Sequence, residues 1–229
     1  MYPVSAKHLP RLVAAALCIA APVRAEDFLC PGGTVLVQGG GERAEDICEA
    51  AAEARAQLAS CNLPVTQAVT VEVTLGLSGG CYGLYHCDDD LIQLLPLSAY
   101  SGFLSGHPDS PFGHLDPEAF FNSVLRHELA HAALDVMPCP YDGCPATQEF
   151  VAYAMQIRFL SEAERAPFDR FATETGGPVT SDSLNVLVLM MSPETFLRNA
   201  HAYLSQQEDP CGLISEIVEG DVLFDIPFR

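Results

Sequence analysis

His127-Glu128-Leu129-Ala130-His131 constrains this chain more than any other run, because its two imidazoles can act together on a helix. Four residues apart, they lean from one helical face and can grip a single ion. The flanks favour that helix. Asp116-Pro117-Glu118 supplies a capping acid, a proline for the first turn and a second acid beside the positive end of the helix. The helix is predicted to run to Met137, where Pro138 stops it. Phe120, Val124, His127, His131 and Leu134 then form a stripe at three-to-four spacing, which turns both histidines toward the interior.

Two inward histidines with a glutamate between them suit a zinc site of the open kind. Such a site has three protein ligands and a fourth position left to water. Glu128, beside the first histidine, is placed to take a proton there as general base. The third ligand is expected to be Glu149, 18 residues after His131. Pro138 and Pro145 bracket a short loop that a Cys139–Cys144 bridge would close, so the chain should reverse into an antiparallel helix carrying Glu149, Tyr153, Gln156 and Leu160. Measured from that turn at 1.5 Å per residue, His131 lies about 9 Å and Glu149 about 6 Å along their helices, which match in level. Ala152 is small enough to let the two helices approach.

Asp135 competes for the third place, but His127 and Asp135 lie about 12 Å apart along a straight helix, so orienting a histidine suits Asp135 better. His107 and His114 in the loop before the helix, with His86 and Asp142, are further rivals. The plain alternatives are a pair of satisfied core histidines and a first-turn acid favoured by the helix dipole.

His127 to Asp135, followed by a helix bearing Glu149, resembles the gluzincin group of zinc metallopeptidases, and the motif is similar to the thermolysin pattern through its terminal aspartate. The resemblance implies that His127, His131 and Glu149 bind one zinc ion, with Glu128 as general base. It covers residues 120–160. Tyr153 departs from the pattern, standing where thermolysin-like enzymes have an aspartate, and no confident counterpart of their downstream transition-state histidine is found. The metzincin pattern is absent, since Met137 occupies the place of its third histidine. The whole chain resembles a secreted bacterial family rather than a known enzyme. Peptide hydrolysis would also need a donor for the oxyanion, for which Tyr153, His201, Tyr203 and Tyr141 are candidates. His201 shares an apolar stripe with Leu197 and Leu204.

Residues 1–25 read as a cleavable signal peptide: Lys7, His8 and Arg11, an apolar run from Leu12 to Ala21, then Pro22 and Val23-Arg24-Ala25. Ten apolar residues are too few to span a bilayer. Without that leader, eight arginines oppose 30 acids, a formal charge of −22. Such a surface repels phosphate backbones and anionic lipid, which argues against nucleic acid partners and membrane insertion. Eight cysteines remain, an even number suited to disulfides in the periplasm or outside the cell. Short spacings predict Cys81–Cys87 and Cys139–Cys144. Cys48 and Cys61, about 20 Å apart on one helix, must instead pair with Cys30 and Cys211.

Thr34–Val37 and alternating Val69 to Leu75 predict strands, Glu42–Ser60 a helix, and residues 81–95 a hairpin-like pair of strands. Residues 98–115, rich in Ser, Gly and Pro, suit a rim or lid. Further helices are expected at Ser181–Met191 and Pro193–Gln206. Strands first and helices later define an α+β fold: a small antiparallel or mixed sheet packed on a mostly helical metal-binding half, stapled by disulfides. Residues 26–229 are expected to form one zincin-like metallohydrolase domain. The expected function is a secreted zinc-dependent hydrolase, a peptidase acting on peptide or protein, with Leu91–Leu95 able to pair with an extended substrate if it is an edge strand. The alternative is a non-catalytic zinc-binding module or a disulfide-stapled interaction domain. Substrate and oligomeric state are left open.

Overall fold

Alternating valines build the middle of a five-stranded sheet in the computed structural model, which describes residues 27–77, 81–174 and 177–225. The expected leader lies outside the described residues. The strands are β1 (Phe28–Leu29), β2 (Val35–Gln38), β3 (Val69–Val73), β4 (Gly83–His86) and β5 (Leu91–Leu94), in spatial order β1-β2-β3-β5-β4. β2, β3 and β5 run parallel, with Val37 beside Val71 and Val71 beside Ile92. β1 and β4 close the two edges antiparallel. Val35, Val37, Val69, Val71, Ile92 and Leu94 are all buried, as expected for strands packed beneath helices.

Parallel neighbours require a crossover, and α1 (Ala44–Ala59) supplies it between β2 and β3. The remaining helices are α2 (Leu97–Gly106), α3 (Pro117–Leu134), α4 (Pro145–Arg158), α5 (Glu162–Glu174), α6 (Val186–Met191), α7 (Pro193–Ser205) and α8 (Pro210–Val218). The fold is α+β, a mixed sheet against a larger helical half. No helix among the described residues is long and apolar enough to cross a membrane.

α3 runs through the centre of the protein. The Asp116 carboxylate accepts from the Ala119 N–H at 2.9 Å, and Pro117 takes the first turn, so the expected cap is present. α4 has no local side-chain cap. Its first N–H groups, on Ala146 and Thr147, instead donate to Asp225 at 2.9 Å each, so the C-terminal tail closes the helix end that carries Glu149.

Three disulfides fasten this arrangement. Cys30–Cys48 ties the first strands to α1, Cys61–Cys211 ties the end of α1 to α8, and Cys139–Cys144 closes the α3–α4 loop. They fit an extracellular or periplasmic protein.

Three expectations need correction. Cys81 and Cys87 are free and exposed, because β4 lies between them in extended form. Six extended residues span about 20 Å, against the 7 Å limit for bridged Cα atoms. β5 is an interior strand between β3 and β4, so the open edge belongs to β4. Much of the segment expected to be a loop before α3 is helix α2, where Tyr100 and Leu104 supply buried anchors at i and i+4. Only residues 107–116 remain irregular.

Candidate metal centre

α3 and α4 pack antiparallel: Ser123 meets Gln156 near one end, and His127 and His131 meet Glu149 toward the other. Ala152, completely buried, lies on the intervening face. The result gathers His127, His131 and Glu149 into a group able to hold a metal ion, and it is the only such group among the described residues. His127 Nε2 and His131 Nε2 are 3.2 Å apart. Glu149 Oε2 lies 3.4 Å from His127 Nε2, and Glu149 Oε1 lies 3.5 Å from His131 Nε2. Ligand atoms about 2.0–2.1 Å from one tetrahedral ion lie about 3.3 Å apart; the two nitrogens have that spacing, and each has one or other Glu149 oxygen near it. Glu149 Oε2 is buried and has no hydrogen-bond partner, which fits a lone pair reserved for an ion.

The tautomer is arranged for the same purpose. Ser123 Oγ donates to the Phe120 carbonyl, so it accepts from the Gln156 amide nitrogen at 3.1 Å. That leaves Gln156 Oε1 facing His127 Nδ1 at 3.1 Å, where the imidazole must donate. With its proton on Nδ1, His127 presents a free lone pair on Nε2. Asp135, expected to orient a histidine, makes no hydrogen bond to either one among the described residues. Gln156 does that for His127 from the other helix.

Burial opposes charge on His127, Glu149 and Glu128, and their neighbours help decide the outcome. Burial lowers the His127 pKa, but the adjacent Glu149 carboxylate and the Glu128 charge outweigh it and leave it raised. Burial likewise opposes the Glu149 carboxylate, yet the two imidazoles hold its pKa well below the ordinary range. Glu128, only 5% exposed, is pushed upward chiefly by burial; both imidazoles and the Tyr85 N–H work the other way.

The group opens into a cleft of about 660 Å³. One wall is β4. Tyr82 C=O accepts from Leu95 N–H at 3.1 Å, so antiparallel alternation turns the backbone groups of Gly83 and Tyr85 away from β5, toward the open edge. Gly83 allows the strand to lie directly on α3. A Cβ there would come within 2.5 Å of Glu128 Oε1 and 2.8 Å of Val124 Cγ1. Pro193 and Leu197 of α7 also line the cleft, as do Phe103 and residues 110–112 from the segment before α3.

Among the suggested oxyanion donors, Tyr153 alone lines the cleft, its ring centroid 4.7 Å from that of His127. Burial raises its pKa, with Glu149 and Glu128 adding, so the hydroxyl keeps its proton. His201 lies in a separate hollow, 2.7 Å from Asp169. Tyr203 packs on Phe150 and Phe224, and Tyr141 is exposed in the α3–α4 loop.

The rival ligands are engaged elsewhere or lie outside the triad. His86 faces Gln93, His107 faces the Phe103 carbonyl, and His114 faces the Glu164 carbonyl. Asp142 is exposed and outside the triad. Gln156, Gly83 and Cys81 are the residues of the site that sequence reasoning passed over. Gln156 could have been found, standing seven residues after Glu149 and so on the same helical face. Cys81 lines the cleft with its thiol pKa raised by burial, Glu128 and Glu149, a poor setting for a nucleophilic thiolate.

No curated protein and no solved structure matches the chain. One family model does, over residues 35–227, under the description "Family of unknown function (DUF6639)". The chain therefore belongs to the DUF6639 family.

Proposed function

We propose that this protein is an exported zinc-dependent peptidase of gluzincin type, with His127, His131 and Glu149 as metal ligands and Glu128 as general base. The observation that carries the reading is the triad itself: two Nε2 atoms 3.2 Å apart, each within 3.5 Å of one or other Glu149 oxygen, with the buried Glu128 beside them in a cleft. Two imidazoles and one carboxylate are a donor set suited to zinc. The exported location rests on the N-terminal sequence and agrees with the disulfides.

A zinc ion held there supplies Lewis acidity and makes water a stronger acid. The protein's own groups supply the rest. Glu128 takes a proton from the attacking water and later delivers it to the leaving amine; its raised pKa suits both transfers. Tyr153 O–H donates toward the oxygen on which negative charge develops. The outward backbone of Gly83 offers an extended chain a strand to pair with, which favours a peptide over a compact small molecule.

The test is metal analysis of the purified protein together with a mixed peptide library. One equivalent of zinc is expected, with cleavage that Glu128→Gln abolishes while zinc is retained. Zinc without cleavage would leave a non-catalytic binding module, and absence of metal would leave a disulfide-stapled interaction domain.

A further inference from the structure

The cleft is charged on one side of the scale only. Besides Glu128 and Glu149 it is lined by Asp135 and Glu194, and by no lysine or arginine among the described residues. A divalent ion would offset the first two. Asp135 and Glu194 would remain, both exposed and neither in an ion pair among the described residues. They belong to different walls: Asp135 caps the C-terminal end of α3, four residues past His131, and Glu194 lies in the first turn of α7. An acid at a helix C-terminus works against the helix dipole, so helix stability does not explain Asp135.

The rest of the lining is largely apolar and aromatic, with Tyr82, Phe103, Phe112, Phe120 and Leu197. A second apolar surface lies next to the cleft in sequence. α6 ends two residues before Pro193, a cleft residue, and its six side chains are all apolar. Leu187, Met190 and Met191 are 58, 76 and 84% exposed, and their i, i+3, i+4 spacing puts them on one face. An exposed stripe of this kind marks a contact surface, and methionines adapt to varied partners. The whole chain carries a formal charge of −19, which draws cations toward it from a distance.

Resting on the peptidase reading, we infer that the substrates are cationic, apolar-rich polypeptides. Basic side chains meet Asp135 and Glu194, large apolar side chains enter the aromatic wall beside the metal centre, and an apolar flank lies along Leu187, Met190 and Met191. Water and side chains of small polar peptides gain little from such walls.

The experiment uses four matched peptides of equal length: basic–apolar, acidic–apolar, basic–polar and neutral–apolar. Cleavage is measured with the zinc-loaded protein, and binding with zinc-loaded Glu128→Gln by fluorescence anisotropy, so that recognition is read apart from turnover. The basic–apolar peptide is expected to bind and react at least about tenfold better than the acidic–apolar one, with the ratio shrinking as salt rises. It should also exceed the basic–polar peptide. Asp135→Asn with Glu194→Gln should narrow the basic-to-acidic ratio, and Leu187→Ser with Met190→Ser and Met191→Ser the apolar-to-polar ratio. If either set fails to fold, the peptide and salt series on the otherwise unaltered protein still decides. Equal binding of basic and acidic peptides overturns the inference even if all are cleaved. Selective binding without cleavage by the wild type overturns the peptidase reading and leaves the recognition standing.

Discussion

Gln156 Oε1 stands 3.1 Å from His127 Nδ1, and Ser123 determines which way that amide faces. A side chain outside the triad thereby decides which ring nitrogen of a triad member is free to bind. Gln156→Ala should leave Nδ1 without its acceptor and let the ring exchange tautomers. Zinc affinity is expected to fall by about ten- to a hundredfold, as is usual when an outer partner of a metal histidine is lost. Competition against a chelating dye measures it. Ser123→Ala should cost less, because Gln156 can still turn its oxygen toward the ring.

Gly83 tests how closely the edge strand must approach. Its replacement by alanine sets a methyl group 2.5 Å from Glu128 Oε1. Either β4 lifts from α3 or Glu128 swings aside. Overpacking of this kind costs about 1–3 kcal/mol, so the melting temperature should drop by several degrees. On the peptidase reading the activity should fall further than the stability explains, with zinc content unchanged, since His127, His131 and Glu149 are not touched.

The readable parts of the sequence were those in which a local rule and the tertiary demand agree. α3 follows from Asp116, Pro117 and its apolar stripe, and α4 from Pro145; the turn between them is short, so their pairing and the meeting of Glu149 with His131 followed. The valines of β3 alternate, and they form a strand. What escaped depended on distant partners. α2 carries Ser101-Gly102 and Ser105-Gly106, which read as loop, but Tyr100 and Leu104 are held by the core. α5 contains Pro167 inside it and was not anticipated. The cysteines misled because spacing alone cannot tell a turn from a strand: Cys139 and Cys144 flank a loop and bridge, whereas Cys81 and Cys87 flank β4 and do not. Nothing local marks Gly83, whose role depends on β4 lying against Glu128.

The metal-free protein should show a pH-dependent partnership between His127 and Glu149. The His127 pKa is raised in the fold, so its contribution is full below the unfolded value of about 6.5 and is lost as pH rises through the folded one. Glu149 is depressed, so its contribution is full above about 4.3 and is lost as pH falls toward its folded value. Both are present together only in mildly acid solution. In chelator-stripped protein, Glu149→Gln should therefore lower the melting temperature most near pH 5–6 and less at pH 8. A penalty that is flat across this range would show that the pair is not charged in the stripped protein. On the zinc reading the order changes once metal is added, because Glu149→Gln would then remove a ligand, and the loss should persist at pH 8.

Tyr153 occupies the place where thermolysin-like enzymes carry an aspartate, yet it faces the cleft against His127. Burial and the nearby Glu149 and Glu128 carboxylates keep its hydroxyl protonated, the state required of a hydrogen-bond donor to developing negative charge. Removing that single O–H while keeping the ring separates chemistry from packing. Tyr153→Phe retains the contact with His127 and the neighbouring Phe196, so zinc content and melting temperature should stay near wild type. If the hydroxyl stabilises the oxyanion, kcat on a cleavable peptide should fall about 10²–10³-fold with KM little altered. A variant with full kcat would move the donor role away from Tyr153, and the outward N–H of Gly83 on β4 is the group that would inherit it.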